Sequence, residues 1–146
     1  MDSPSDRFIS TSIGAYLSRG GAWTNASDRA LKDGFQPVQG REVLERVAAL
    51  PISTWSYRAE DPSTRHLGLT AQDFAAAFRL GNGDKTISTI DADGVALAAI
   101  QGLHQILQEK DAQLAAQQER LSSLEQRNAN LQLRLEALER KLDAQP

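Results

Sequence analysis

Apolar residues recur every three or four positions along the last third of the chain, and the spacing holds a strict period of seven. With Ile100 at position a, the a series is Ile100, Leu107, Leu114, Leu121, Asn128, Leu135 and Leu142. The d series is Leu103, Lys110, Gln117, Leu124, Leu131 and Leu138. Ten of these thirteen positions are apolar, and no proline interrupts six heptads. A seven-residue period keeps a seam facing its partner only if the helix winds at 3.5 residues per turn, so it predicts a left-handed coiled coil. The helix is expected from about Gly94, with Asp91 or Asp93 available as its cap. At 1.5 Å per residue it would run about 70 Å, which the roughly 90 residues before it could not cover as a single domain. The seam therefore needs other chains. Arg120 and Arg134 at g precede Glu125 and Glu139 at e by five residues, a spacing that meets across chains in a parallel, in-register assembly. Asn128 at a would enforce register at some cost in stability. Leucine at both a and d leaves two strands and three strands open.

Ahead of this helix the pattern is mixed. Phe8 to Leu17 is rich in β-branched and aromatic residues, predicting one or two short strands broken near Gly14. Ser18-Arg19-Gly20-Gly21 is a turn signal, and Ala22-Trp23-Thr24 returns as a strand. Val43, Leu44, Val47 and Leu50 have helical spacing over Gly40–Leu50, and Pro51 stops that helix. Ile52–Arg58 reads as a strand with Trp55 and Tyr57 on one face, and Asp61-Pro62-Ser63 lies in a polar loop. His66–Leu69 is a further strand, Thr70 caps a helix through Phe78, Gly81–Asp84 is a turn, and Ile87–Ile90 is a last strand. The fold class is α+β, a small mixed domain followed by a long helix. Residues 1–26 form an N-terminal strand segment or the end of a preceding passenger, 27–93 the core domain, and 94–146 the coiled coil.

Composition narrows the chemistry. The 146 residues carry a net charge of −3 and no run of three lysines or arginines, against a nucleic-acid footprint or a membrane-surface patch. No cysteine is present, which removes thiol catalysis, disulfides and cysteine-ligated zinc. Two histidines, His66 and His104, are too few and too far apart for a histidine-rich metal site. Gly81-Asn82-Gly83-Asp84 lacks the alternating oxygens and closing glutamate of a calcium loop. No cofactor is expected. No apolar run suggests a membrane span, and the acidic, polar start is not a signal peptide.

One short segment has two readings. In Ser27-Asp28-Arg29-Ala30-Leu31-Lys32 the Ser-Asp pair reads as the cap of a turn and Lys32 as a solvated charge. From spacing alone that is the ordinary reading; the functional one is a serine–lysine dyad, in which a neutral amine takes the hydroxyl proton and makes the oxygen nucleophilic. That requires the lysine to fall from its ordinary pKa of about 10.4 toward neutrality, which burial favours. The nearest electrophile to the Ser27 hydroxyl is the carbonyl of Ala26, so the natural reaction is scission of the chain's own Ala26–Ser27 bond through an ester.

Four separated stretches carry a resemblance. They are Asn25-Ala26-Ser27-Asp28-Arg29-Ala30-Leu31-Lys32, then Val43–Pro51, then Trp55-Ser56-Tyr57, then Arg65-His66-Leu67-Gly68-Leu69-Thr70-Ala71-Gln72-Asp73-Phe74. In this order, over about residues 22–110 and with a coiled coil following, they resemble the endosialidase-type intramolecular chaperone. This is the self-cleaving C-terminal domain of phage tailspikes and tail fibres, found also in bacterial tail-fibre-like proteins and in a membrane-bound animal transcription factor. The resemblance implies a homotrimer that holds an N-terminal fibre passenger in register in cis and then cuts itself off before the serine. It implies Ser27 as nucleophile, Lys32 as general base, Asp28 as the residue that fixes the turn, and His66 and Gln72 as supporting residues of the site or of trimer contacts. The absence of cysteine leaves the compartment open; assembly in the cytoplasm, followed by residence in a virion tail or release, is the expectation. The alternative is a structural trimerisation cap that never cleaves. A dimeric coiled-coil adaptor would fit the helix but leave residues 22–78 without a role. Apart from the resemblance, His66 reads as a satisfied strand-end histidine, His104 as a solvated e residue, and Trp23, Trp55 and Tyr57 as core.

Overall fold

The computed structural model describes residues 7–143, without the side chain of Leu142. The first six residues and the side chain of Leu142, the last a position of the heptad series, lie outside this description. Strands β1 (Arg7–Ser10), β2 (Tyr16–Ser18) and β3 (Trp23–Thr24) form an antiparallel meander in that order. Its two reversals occur at Gly14 (φ 93°) and Gly21 (φ 84°), backbone values that side-chain-bearing residues rarely adopt. A polar stretch follows that contains one 3-10 turn at Arg29–Leu31. Helix α1 spans Gly40–Ala48, two residues short of the expected end. Leu50 precedes Pro51, and the proline ring disfavours helical backbone at the residue before it.

Strands β4 (Ser53–Trp55) and β5 (His66–Gly68) pair antiparallel, with Trp55 opposite His66. The strand expected over Ile52–Arg58 is shorter because Ser56 leaves the ladder to close the loop that follows. Its hydroxyl donates to the Thr64 carbonyl at 2.6 Å. At the head of that loop Ser63 gives both its hydroxyl and its backbone N–H to Asp61. The two bonds hold the exposed Asp61 carboxyl below its ordinary value of 3.8. Helix α2 (Ala71–Phe78) is capped by Thr70, whose hydroxyl oxygen accepts from the Asp73 N–H at 3.2 Å, and it ends at Arg79 in the left-handed region (φ 54°).

Helix α3 runs from Thr89 to Asp143, 55 residues, or about 82 Å. The strand expected over Ile87–Ile90 does not form, because the helix already begins at Thr89. Asp91 and Asp93 are therefore inside its first turns rather than caps, where Asp91 still opposes the positive end of the helix dipole. Gly94 is an interior helical position.

The core is small. Val43 of α1, Phe74 of α2 and Val95 and Ala99 of α3 are buried together, flanked by Leu44, Val47, Leu69, Phe78, Ile87 and Ala98. Helix α1 meets α3 at a glycine crossing. A Cβ on Gly40 would sit 2.8 Å from the Ala98 carbonyl oxygen and 2.9 Å from the Gly102 nitrogen, and one on Gly102 would strike the Gly40 carbonyl. The obstacles are backbone atoms and cannot swing aside. Across the crossing Arg41 pairs with Glu109 at 2.5 Å. Gly94, by contrast, has nothing within 4 Å of a built Cβ. The same substitution should therefore act with opposite sign at the two sites. Gly102→Ala should destabilise by about 1–3 kcal/mol through overpacking, while Gly94→Ala should stabilise by about 1 kcal/mol through helix propensity. Thermal melting of the two variants side by side checks this.

Near its start, α3 has two distinct faces. Val95, Ala99 and Gly102 are buried against the domain, with Ile106 half-buried beside them. Ile100, Leu103 and Leu107 are 61%, 46% and 52% exposed. At 100° per residue the two sets lie about 100° apart, so the heptad seam begins while the helix is still docked on its own domain. Further along, Leu114, Leu121, Leu124, Leu131, Leu135 and Leu138 remain exposed, as do the polar seam residues Lys110, Gln117 and Asn128. Among the described residues no helix is long and apolar enough to cross a membrane.

Candidate functional site

The 3-10 turn at Arg29–Leu31 brings Ser27 and Lys32 together. The Asp28 carboxylate accepts from the Ala30 N–H at 2.9 Å, and the Asp28 carbonyl accepts from the Leu31 N–H at 3.1 Å. The Lys32 N–H closes the turn onto the Arg29 carbonyl at 3.1 Å. Lys32 Nζ donates to Ser27 Oγ at 2.6 Å. Both residues are exposed in the single chain, and Ala26, which precedes the serine, is half-buried. Arg29 stacks over the Phe35 ring at 4.7 Å, outside this contact.

His66 and Gln72 lie elsewhere. His66 leads β5 inside an aromatic cluster, stacked on Trp55 at 4.9 Å and 5.4 Å from the Tyr57 ring. Trp55 and Tyr57 themselves meet edge to face at 4.8 Å. His66 Nε2 pairs with a Glu60 carboxylate oxygen at 2.8 Å. The neighbouring Arg65 donates to the Thr54 carbonyl at 2.8 Å and to the Thr54 hydroxyl at 2.9 Å, so this part of the Arg-His segment clamps the hairpin. Gln72 is exposed in the first turn of α2. Among the described residues, neither His66 nor Gln72 hydrogen-bonds to Ser27 or Lys32. Of the three aromatics expected in the core, Trp55 is half-buried, while Trp23 is 49% and Tyr57 57% exposed.

A feature that spacing could not disclose lies just upstream of Ser27. Asn25 accepts from the Trp23 indole N–H at 2.8 Å and donates to the Thr89 hydroxyl, the first residue of α3, at 3.0 Å. The partners are 64 residues apart, and no periodicity or motif links them.

A family model described as the chaperone of endosialidase matches residues 27–79. The match opens at the serine itself and covers the 3-10 turn, α1, the β4–β5 hairpin and α2; it is narrower than the 22–110 span of the resemblance and stops before α3. No curated protein and no solved structure matches the chain.

Proposed function

We propose, on the match of residues 27–79 to the chaperone-of-endosialidase family model, that this protein is an intramolecular chaperone that brings three chains together through α3, sets a fibre-like passenger in register, and releases itself by one cut between Ala26 and Ser27. The exposed heptad leucines supply a surface for assembly, and the family supplies the number three. The parallel direction rests on the Arg120–Glu125 and Arg134–Glu139 spacing.

The observation that carries the cleavage step is the 2.6 Å contact between Lys32 Nζ and Ser27 Oγ. With its amine neutral, Lys32 takes the hydroxyl proton as Oγ attacks the Ala26 carbonyl carbon. The Oγ–C bond forms, the Ala26–Ser27 C–N bond breaks, and the proton passes to the departing Ser27 amine. Water then hydrolyses the resulting ester, freeing the Ala26 carboxylate and restoring the serine. Asp28 contributes by fixing the turn. Burial of the exposed dyad at a subunit contact would favour the neutral amine, so cleavage is expected to follow assembly. His66 and Gln72 belong in this reading to the support of the hairpin and to subunit contacts.

The exposure of Ser27 and Lys32 favours a second reading, a structural trimerisation cap in which both stay hydrated and no bond breaks. Intact-mass measurement on a chain with a fibre segment fused ahead of residue 1 separates the two. The chaperone reading expects two products meeting at Ala26–Ser27 without added protease or cofactor, whereas a single full-length mass after prolonged incubation of the trimer selects the cap.

A further inference from the structure

The Asn25–Thr89 bond joins two parts of the molecule that chain order keeps apart. Asn25 precedes the Ala26 carbonyl, the group attacked in the cleavage proposed above, by one residue. Thr89 opens the long helix that carries the heptad seam. We propose that Asn25 and Thr89 are a positioning pair for self-cleavage, holding the scissile segment on the first turn of α3 so that the bond is presented only once that helix has formed. The inference rests on the Ser27–Lys32 cleavage reading and adds to it the device that sets the order of events.

The chemistry of the three side chains fixes the geometry. An indole nitrogen only donates, so the Trp23 contact at 2.8 Å requires the oxygen of the Asn25 amide. The amide NH2 is thereby turned to the Thr89 hydroxyl at 3.0 Å, which accepts. Trp23 is itself paired opposite Leu17 in the meander. The amide is thus a clamp between the sheet on one side and the helix start on the other. On the far side of Ser27, the Asp28-capped turn delivers Lys32. The scissile peptide hangs between two fixed points, one on each side. Half-buried Ala26 is the only residue between the clamp and the nucleophile, and a built Cβ on Gly14 would lie 3.9 Å from its Cβ. Neither Asn25 nor Thr89 touches the reacting atoms, so each acts through position. Misplacement by about 1 Å is enough to slow a reaction of this kind by up to about 100-fold. A solvent-facing hydrogen bond such as this one should account for a smaller part of that.

The test is the first-order rate of appearance of the chain beginning at Ser27, measured by intact mass on the full-length protein after assembly, across pH, with Ser27→Ala as the uncut control. Asn25→Ala and Thr89→Val should each slow cleavage about tenfold. Assembly mass and melting temperature should not change, nor should the shape of the pH–rate profile, because neither substitution touches the groups that transfer the proton. Thr89→Ser keeps the accepting hydroxyl and should restore the wild-type rate. The double variant should be no slower than either single, since both remove one interaction. If wild type is cut and Asn25→Ala is cut equally fast, or if Thr89→Ser is as slow as Thr89→Val, the positioning role is overturned while the dyad stands. If wild type remains uncut, the cleavage reading falls and the role falls with it.

Discussion

Replacing Leu131 with aspartate is expected to turn the assembled protein into single chains at micromolar concentration. Leu131 occupies a d position in the far half of α3, where the helix has left its own domain, and its side chain is 49% exposed. Among the described residues, the core cluster that packs on α3 involves Val95, Ala98 and Ala99, far before it. Losing the burial of one leucine costs about 2–5 kcal/mol per chain, and that loss recurs in every chain of the assembly. A carboxylate at the same place adds one charge per chain to a seam where like charges would converge, and unpaired buried charge is strongly unfavourable. Leu124→Asp, two turns earlier at the preceding d position, should act alike. Asn128→Leu should do the reverse, raising the melting temperature while loosening the choice of register or strand number, because the polar layer it removes is the one that specifies alignment. An unchanged mass and melting curve for Leu131→Asp would overturn the heptad assignment itself.

The second large effect concerns the dyad. Ser27→Ala removes the nucleophile and should abolish the cut, leaving an intact and still assembled chain. Lys32→Ala should do the same by removing the base. Lys32→Arg is the more informative change, because it keeps the positive charge and a donor to the Ser27 oxygen, yet a guanidinium does not give up its proton at any working pH. It should therefore be as inactive as Lys32→Ala, where a purely electrostatic role would have been preserved. In the wild type the cleavage rate should rise with pH, as expected of a reaction whose base acts in its unprotonated form. Time courses by intact mass at several pH values, for wild type and the three variants, check all of this together. Equal cleavage of wild type and Ser27→Ala would assign the cut to a contaminating protease.

How much of this was legible depends on the length scale of the interaction. The long helix was readable because its signal is summed over six heptads, and the Thr70 cap, the turns at Gly14 and Gly21 and the short strands were readable because their causes are local. Helix α3 begins five residues before the Gly94 that the heptads predict, for a local reason. Ile87, Thr86 and Ile90 favour strands in isolation, but Ile87 packs on the helical core and no neighbouring strand is there to pair with. The Ser27–Lys32 spacing was visible in the sequence, but the 2.6 Å contact needs the 3-10 turn, which depends on Asp28 accepting from Ala30. Neither the Gly40–Gly102 crossing nor the Asn25–Thr89 bond has a sequence signature, since each depends on how α1 and the meander settle against α3. For Trp23 and Tyr57 the sequence predicts a core position, because large aromatics are highly buried on average. In a chain whose own core centres on Val43, Phe74, Val95 and Ala99 alone, they are left facing out.

Self-association through α3 underlies every step of the proposed function. Its most direct test is the mass of the full-length protein in solution, by light scattering across a dilution series from tens of micromolar downward. The account predicts the mass of three 15.9 kDa chains, or of three such chains less their first 26 residues if cleavage has run, with a melting temperature that falls on dilution. A single-chain mass at tens of micromolar, with melting independent of concentration, would contradict it.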